Sequence, residues 1–244
     1  VSDHLKQTIN SKKTKCKKIQ KDFKYWKISC DDHTQVVSKN IILATGSTPK
    51  TLSYPELFII PLEKSMDKES LKDHLNENDS VALFGSSHSA ILALRALLEN
   101  DVRIKKIINF YKSPVRYAVD MGDWFLFDNT GLKGEAATWA KENLNAQHPN
   151  LTRVISNPEN LEQHLPLCNK AIYAVGFERH IQPVIEGIGL VSYNDKTGII
   201  APGLYGFGIA YPQTVIDRMN NVESSVGLYK FMVYLKKVMP IWLK

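Results

Sequence analysis

The stretch Val81-Ala-Leu-Phe-Gly85-Ser-Ser87-His-Ser-Ala90 constrains the fold more than any other part of this sequence. Ser80 to Phe84 is a short apolar run that stops at a glycine, the pattern of a strand buried on both faces. Gly85 to Ala90 reads as a tight turn and Ile91 to Glu99 as a helix, stopped by Asn100-Asp101. Ile104 to Tyr111 then supplies a second apolar strand. Strand, small-residue turn, helix and strand within about thirty residues make a βαβ unit, which puts the chain in the α/β class with a parallel sheet.

The rest of the chain is read around that unit. The first ten residues form a short helix, and Lys15 to Cys30 is strand-like, with Ile19, Phe23, Tyr25, Trp26 and Ile28 as its apolar positions. Asp31-Asp32-His33 turns the chain back into Gln35-Val36-Val37. Asn40 to Gly46 is a second buried strand closed by small residues. Residues 51–78 are a connector with a helix near Lys68 to Leu75. A helix from about Lys133 to Asn145 and strands at Leu151–Ile155 and Lys170–Gly176 follow. The chain closes with a helix from Val222 to Val238, whose apolar face is Val226, Tyr229, Phe231, Met232, Leu235 and Val238. That face is expected to pack on its own domain, with a basic helix lying on a membrane as the other reading.

The turn at Gly85 has the chemistry of a dinucleotide site. Gly85 makes the bend, Ser87 is small enough for the backbone to approach a pyrophosphate, and Ala90 lets the helix pack on its strand. The helix start offers free N–H groups and a favourable dipole, to which Ser86, Ser87 and Ser89 add hydroxyls. Ser87 stands where a second glycine is usual, so a plain strand-to-helix connection is the alternative. Gly85→Val is expected to abolish nicotinamide binding by blocking the pyrophosphate. About 20 residues on, where an acid would meet a free ribose 2′-hydroxyl, the sequence has Lys112, Ser113 and Arg116 and no acid. Those residues favour NADPH over NADH.

Other candidates are weaker. His88, inside the turn, touches phosphate or faces solvent. Asp120, Asp123 and Asp128 surround Trp124 without the spacing of a calcium loop, and an aromatic, solvated loop is the preferred reading. Glu178-Arg179-His180 follows a strand end, where an arginine can hold a phosphate or join a surface ion pair. No catalytic residue and no metal site is assigned.

Two short strands ending Ala44-Thr45-Gly46 and Ala174-Val175-Gly176, on either side of the Gly85 unit, resemble those of the pyridine-nucleotide-dependent flavoproteins. That group includes flavin-containing monooxygenases and relatives of the disulfide reductases. The resemblance runs from about Lys15 to Met219 and rests on the order and spacing of short motifs. It implies a Rossmann-like NAD(P)-binding domain at 79–175, inserted into a partial FAD-binding-type domain at 1–78 and 176–244. Ala44, Thr45 and Gly46 would lie on the flavin side of the first crossing. Ala174 and Gly176 would line the second, and Gly203-Leu-Tyr-Gly-Phe-Gly208 would run past the flavin. Hydride would pass from NADPH, held at Gly85, Ser86, Ser87, His88, Ser89 and Ala90, to FAD. The chain departs from the pattern in two ways. Nothing in residues 1–40 supplies the family's N-terminal glycine-rich βαβ unit, and Ile209 stands where the family has an acid after Gly208. It is therefore expected to be either a portion of a longer oxidoreductase or a non-catalytic nucleotide-binding remnant, with retention of FAD open. The absence of a CxxC pair argues against the disulfide-reductase branch.

Composition narrows partners. The 244 residues suffice for one large domain or two small ones. No apolar run approaches the ~20 residues of a membrane span, and no signal peptide is readable. With Cys16, Cys30 and Cys168 scattered, reduced thiols and a cytoplasmic protein are expected. The net charge of +6 gathers in Lys12 to Lys27, read as the solvated face of a β-hairpin rather than a nucleic-acid surface. A small-molecule substrate, and an oligomer as an option, complete the expectation.

Overall fold

The computed structural model describes residues 8–54, 56–189 and 192–244. The chain forms two compact units, residues 1–47 with 179–214 and 225–244, and residues 48–178 with 215–224.

The second unit is built on a five-stranded sheet whose pairs are all parallel. Its order is Leu151–Ile155, Lys106–Tyr111, Ser80–Phe84, Lys170–Tyr173 and Phe58–Ile59. The central Ser80–Phe84 strand is buried at every position. Alternation sends Val81 and Leu83 to one face, where they meet Ala90, Ile91 and Leu94 of the His88–Leu98 helix and Trp139 and Ala140 of the Gly134–Asn143 helix. Ala82 and Phe84 face the other side. There Phe84 stacks on Phe110 at 5.0 Å and on Tyr54 at 5.5 Å, beside Tyr173. Ridges of small residues in the first helix (Ala90, Ala93, Ala96) allow its close approach to the sheet. At the N-terminal end of the strands, buried Asp79 holds Lys170 Nζ at 2.7 Å, accepts from Asn169 Nδ2 and from the backbone N–H of Asn76, and so ties two strands together.

Residues 51–78 are therefore more than a connector. They supply the Phe58–Ile59 edge strand, helices at Leu62–Ser65 and Lys68–Lys72, and the core residues Ile60, Leu62, Leu71 and Leu75. Their polar composition hid this, because an edge strand of two residues has no readable period. The first helix of the βαβ unit also begins earlier than expected, at His88, since Ser87 takes the extended N-cap conformation.

The first unit contains a four-stranded sheet ordered Val184–Glu186, Cys16–Asp22, Tyr25–Cys30 and Gln35–Ser38. A three-stranded sheet joins Ile199–Ala201, Leu204–Gly206 and Ile41–Leu43, with the last two parallel. Trp26 is fully buried, and its Nε1–H donates to the Pro202 carbonyl at 3.2 Å. Gly203, at φ +76°, lies so close to the Lys39 carbonyl that a Cβ would come within 2.5 Å of it. The lysines of the N-terminal segment stay on the solvated side: Lys12 pairs with Asp32, Lys18 with Glu186, and Lys21 spans the Trp26 ring.

The short helix expected over the first ten residues lies mostly outside the described residues. Two expectations change in the flanking segments. The Ile41–Leu43 strand is not buried throughout, because Ile42 is 48% exposed between buried Ile41 and Leu43. The C-terminal helix starts at Leu228 rather than Val222 and runs through Pro240 to Trp242. Val222–Ser225 is a strand paired with Gln213–Ile216. The helix buries Tyr234, Val238 and Trp242, an i, i+4, i+8 stripe, and leaves Tyr229 and Met232 exposed. Trp242 fixes this rotation: it stacks on Tyr205 at 4.8 Å, and its Nε1–H donates to the Thr197 carbonyl at 2.7 Å. Among the described residues no helix is long and apolar enough to cross a membrane.

Candidate functional site

The strand Ser80–Phe84 delivers the chain to Gly85 at the C-terminal edge of the parallel sheet, where ligands of open α/β sheets bind. Gly85 has φ +126°, a region that favours glycine. Its N–H donates to the Phe110 carbonyl at 2.8 Å, and its own carbonyl accepts from Asn109 Nδ2 at 2.8 Å. A Cβ at this position would sit 2.4 Å from the Ala174 carbonyl oxygen. The glycine is thus required by the neighbouring strand end. The expectation that Gly85→Val acts by blocking a pyrophosphate is replaced by a backbone clash inside the fold.

Ser86 Oγ donates to the Ser113 carbonyl at 2.8 Å and ties the turn to the segment after the second strand. Ser87 is the N-cap of the following helix, yet its side chain makes no capping bond, which leaves the first N–H groups of an eleven-residue helix without a side-chain acceptor. Those groups carry the positive end of the helix dipole. His88 is exposed at the first helical position, Ser89 is half-buried beside it, and Ala90 is buried in the core under the turn.

A cleft of about 530 Å³ opens on this turn. Gly85, Ser86 and Ser87 form one wall, Ala174, Val175 and Gly176 another, and Lys50 and Lys112 bring positive charge. No carboxylate lines it. Gly176 has φ +101°, has nothing within 4 Å of where a Cβ would stand, and accepts from the Lys50 N–H at 2.9 Å. The Ala174 N–H donates to the Phe84 carbonyl at 2.8 Å, so the two strand ends are held side by side.

The structure therefore brings together Gly85, Ser86, Ser87, Lys112, Ala174 and Gly176. Arg116 is not among them: its guanidinium lies over the Phe127 ring at 5.2 Å. Lys50, Thr51, Leu52 and Ser156 line the cleft without having been singled out from sequence. Lys50 follows Pro49 after the first small-residue strand end, and only this adjacency hinted at it.

Ala44, Thr45 and Gly46 belong to the other unit. Thr45 Oγ1 donates to Gln182 Oε1 at 3.0 Å, an oxygen that also accepts from the Tyr211 hydroxyl at 2.9 Å. Gly46, at φ +75°, packs against the His180 ring, and its carbonyl accepts from the His180 N–H at 3.3 Å. Arg179 stacks over Tyr211 at 4.5 Å, while Glu178 is exposed. Burial raises the Tyr211 hydroxyl above its ordinary pKa, and the nearby Arg179 charge only partly offsets this.

The acidic loop is structural. Asp123 pairs with both terminal nitrogens of Arg218, Asp128 with Lys133, and Asp120 accepts from the Gly122 N–H. Among the described residues no three His, Cys, Asp or Glu side chains are grouped to hold a metal ion. The thiols are free, and burial pushes Cys168 up to about 11, so it is a protonated thiol at neutral pH.

No protein-family model matches the chain. Among solved structures, a flavin-containing monooxygenase from Stenotrophomonas maltophilia superposes with a TM-score of 0.56 at 14% identity, over 98% of this chain and 74% of that one. The bacillithiol disulfide reductase Bdr (YpdA) of Staphylococcus aureus superposes with a TM-score of 0.54 at 12% identity, over 99% and 74%. The fold is that of the FAD/NAD(P)-dependent oxidoreductases. The resemblance first carried by two short strand ends holds at the level of fold. Among curated proteins, the monooxygenase AgnR1 of Paecilomyces divaricatus is 36% identical over 245 residues, which cover 87% of this chain. The chain spans 62% of the length of that relative.

Proposed function

We propose that this chain provides the nicotinamide-nucleotide-binding part of an NADPH-dependent flavoprotein oxidoreductase of the monooxygenase type. The observation that carries this reading is the cleft at Gly85, where a helix start without a side-chain cap faces two lysines and no carboxylate. Such a site suits a pyrophosphate, and Lys112 with Lys50 suits a further phosphate. The 36% identity to a monooxygenase supports the same reading. Residues 79–175 form the heart of the nucleotide domain in this assignment, and the flanking segments belong to the flavin side.

The residues present fit NADPH. Gly85 lets the turn approach its neighbouring strand, the N–H groups at His88 and Ser89 bind the pyrophosphate, and Lys112 sets the preference for a 2′-phosphate. Ala174 and Gly176 leave room for the ring-bearing half. Bound there, the dinucleotide supplies a hydride, and the protein contributes position and electrostatics. For FAD the fit is incomplete. Among the described residues no second glycine turn opens a helix to grip an adenylate, and Ile209 offers no acid after Gly208. Thr45, Gly46 and the open backbone at Gly208 are the residues we assign to the flavin side, and no step is derived through that group. A small-molecule substrate and a cytoplasmic location belong to the same reading.

Two measurements test it. Titration of the folded chain with NADPH and NADH is expected to show tighter binding of NADPH, by tenfold or more, with the difference lost in Lys112→Ala. No binding of either nucleotide would overturn the assignment of the cleft. Mass spectrometry of nucleotide released on denaturation then separates the flavoprotein from a nucleotide-binding remnant: released FAD supports the first, and well-folded protein without FAD supports the second.

A further inference from the structure

A second cavity, of about 250 Å³, is lined by Tyr111, Val115, Tyr117, Leu144, Asn145 and Arg153. Its floor is Arg153, on the edge strand Leu151–Ile155. The Nε–H of Arg153 donates to Asn109 Oδ1 at 3.0 Å, which fixes the guanidinium plane, and its Cζ stands 5.1 Å from the centre of the Tyr111 ring. Among the described residues its two terminal nitrogens meet no acceptor, although the side chain is half-buried. Tyr117, Val115 and Leu144 wall the space, Asn145 contributes an amide, and no carboxylate lines it. A second cation, Lys141, sits 5.3 Å from the Tyr117 ring centre.

A guanidinium whose plane is fixed and whose terminal donors open into an apolar-walled, solvent-accessible space is preorganised to receive an anion. Its planar fork matches a carboxylate in bidentate geometry, with two parallel N–H···O bonds. The walls are rings and aliphatic side chains, which favour an anion borne on a flat apolar body over a bare, strongly hydrated ion. We propose that the Arg153 cavity is a binding site for a small aromatic carboxylate, seated with its carboxylate on the guanidinium and its ring between Tyr111, Tyr117 and Leu144. The cavity shares no lining residue with the Gly85 cleft, although Asn109 bonds both Arg153 and the Gly85 carbonyl. Burial lowers the arginine's pKa from its ordinary value, yet an arginine stays charged across the physiological range. Binding is therefore expected to be flat between pH 6 and 9, on the order of the range over which neither partner titrates.

The test uses the whole chain titrated with benzoate, followed by calorimetry and by amide shifts in ¹⁵N-labelled protein. Saturable binding is expected, with shifts at Val115, Leu144 and Asn145. Benzamide, the neutral isostere, is expected to bind at least tenfold more weakly, and Arg153→Met to lose benzoate by a similar factor. Arg153→Met also strips Asn109 of a donor, so the benzamide comparison carries the test if that variant folds poorly. Equal binding of benzamide and benzoate would overturn the proposal. So would shifts confined to Ser86 and Ser87, which would put the anion at the helix start, and so would inorganic phosphate binding as tightly as benzoate.

Discussion

Asn109 illustrates how one buried side chain organises the nucleotide turn. It is almost fully enclosed on the second strand, and its amide donates to the Leu83 and Gly85 carbonyls at 3.1 and 2.8 Å. Its oxygen accepts from Arg153. Asn109→Leu fills the space but leaves two carbonyls without that donor and one N–H without an acceptor. A loss of about 1–3 kcal/mol is expected, since an unsatisfied buried polar group forfeits its desolvation cost. Urea unfolding measures it, and an unchanged midpoint would mean that backbone bonds alone hold the turn. Gly85→Ala is expected to be at least as costly, because both the positive φ and the 2.4 Å approach to Ala174 oppose a Cβ.

Among the elements, the strand Val222–Ser225 depends on a single carboxylate. Glu223 is 5% exposed and accepts from the Asn129 N–H at 3.0 Å, from Asn129 Nδ2 at 3.1 Å and from the Thr130 hydroxyl. Burial by itself raises its pKa, but these bonds together bring it below the ordinary 4.5. A carboxylate with a depressed folded pKa stabilises the fold fully above its unfolded value and ceases to do so as pH falls through the folded one. Stability is thus expected to decline below about pH 4.5. Glu223→Gln is expected to be less stable at pH 7 and to lose less on acidification; denaturant midpoints between pH 7 and 3, roughly spanning the carboxylate range, decide this. Parallel curves for the two proteins would remove Glu223 from the acid response. In the C-terminal helix, Trp242 plays the corresponding part. Trp242→Ala removes the Tyr205 stack and the bond to Thr197 and empties the space that Gly198 leaves for the ring, at an expected cost of about 3–5 kcal/mol in thermal or denaturant unfolding.

For the whole molecule, the relevant fact is two units with separate cores. Ile19, Trp26 and Leu204 belong to one, and Val81, Leu94 and Ile107 to the other. Trp26 and Trp242 report on the first and Trp139 on the second. A ligand that binds only the folded second unit stabilises it by about 2.7 kcal/mol at a hundred times its Kd. NADPH is accordingly expected to shift the unfolding seen by Trp139 and to leave that seen by Trp26 in place, as read in single-tryptophan variants. Equal shifts at both would mean that the nucleotide's stabilisation is not confined to the second unit.

The local sequence was enough for the parts whose partners lie nearby along the chain. The apolar run Ser80–Phe84, the small residues at Gly85, Ser87 and Ala90, and the alternation of the following helix settled the βαβ unit, because strand, turn and helix preferences act over a few residues. They also brought Lys112 and Gly176 to notice. Tertiary structure decided the rest. Lys50 and Ser156 reach the cleft from distant segments, and Arg116, two residues past a proline, turns away to cover Phe127. Val222–Ser225 reads as the start of a helix until Glu223 is placed, more than ninety residues along the chain, against Asn129 and Thr130. The buried face of the last helix was misread for the same reason. Its periodicity permits several stripes, and only the packing of Trp242 on Tyr205 selects the one that faces inward.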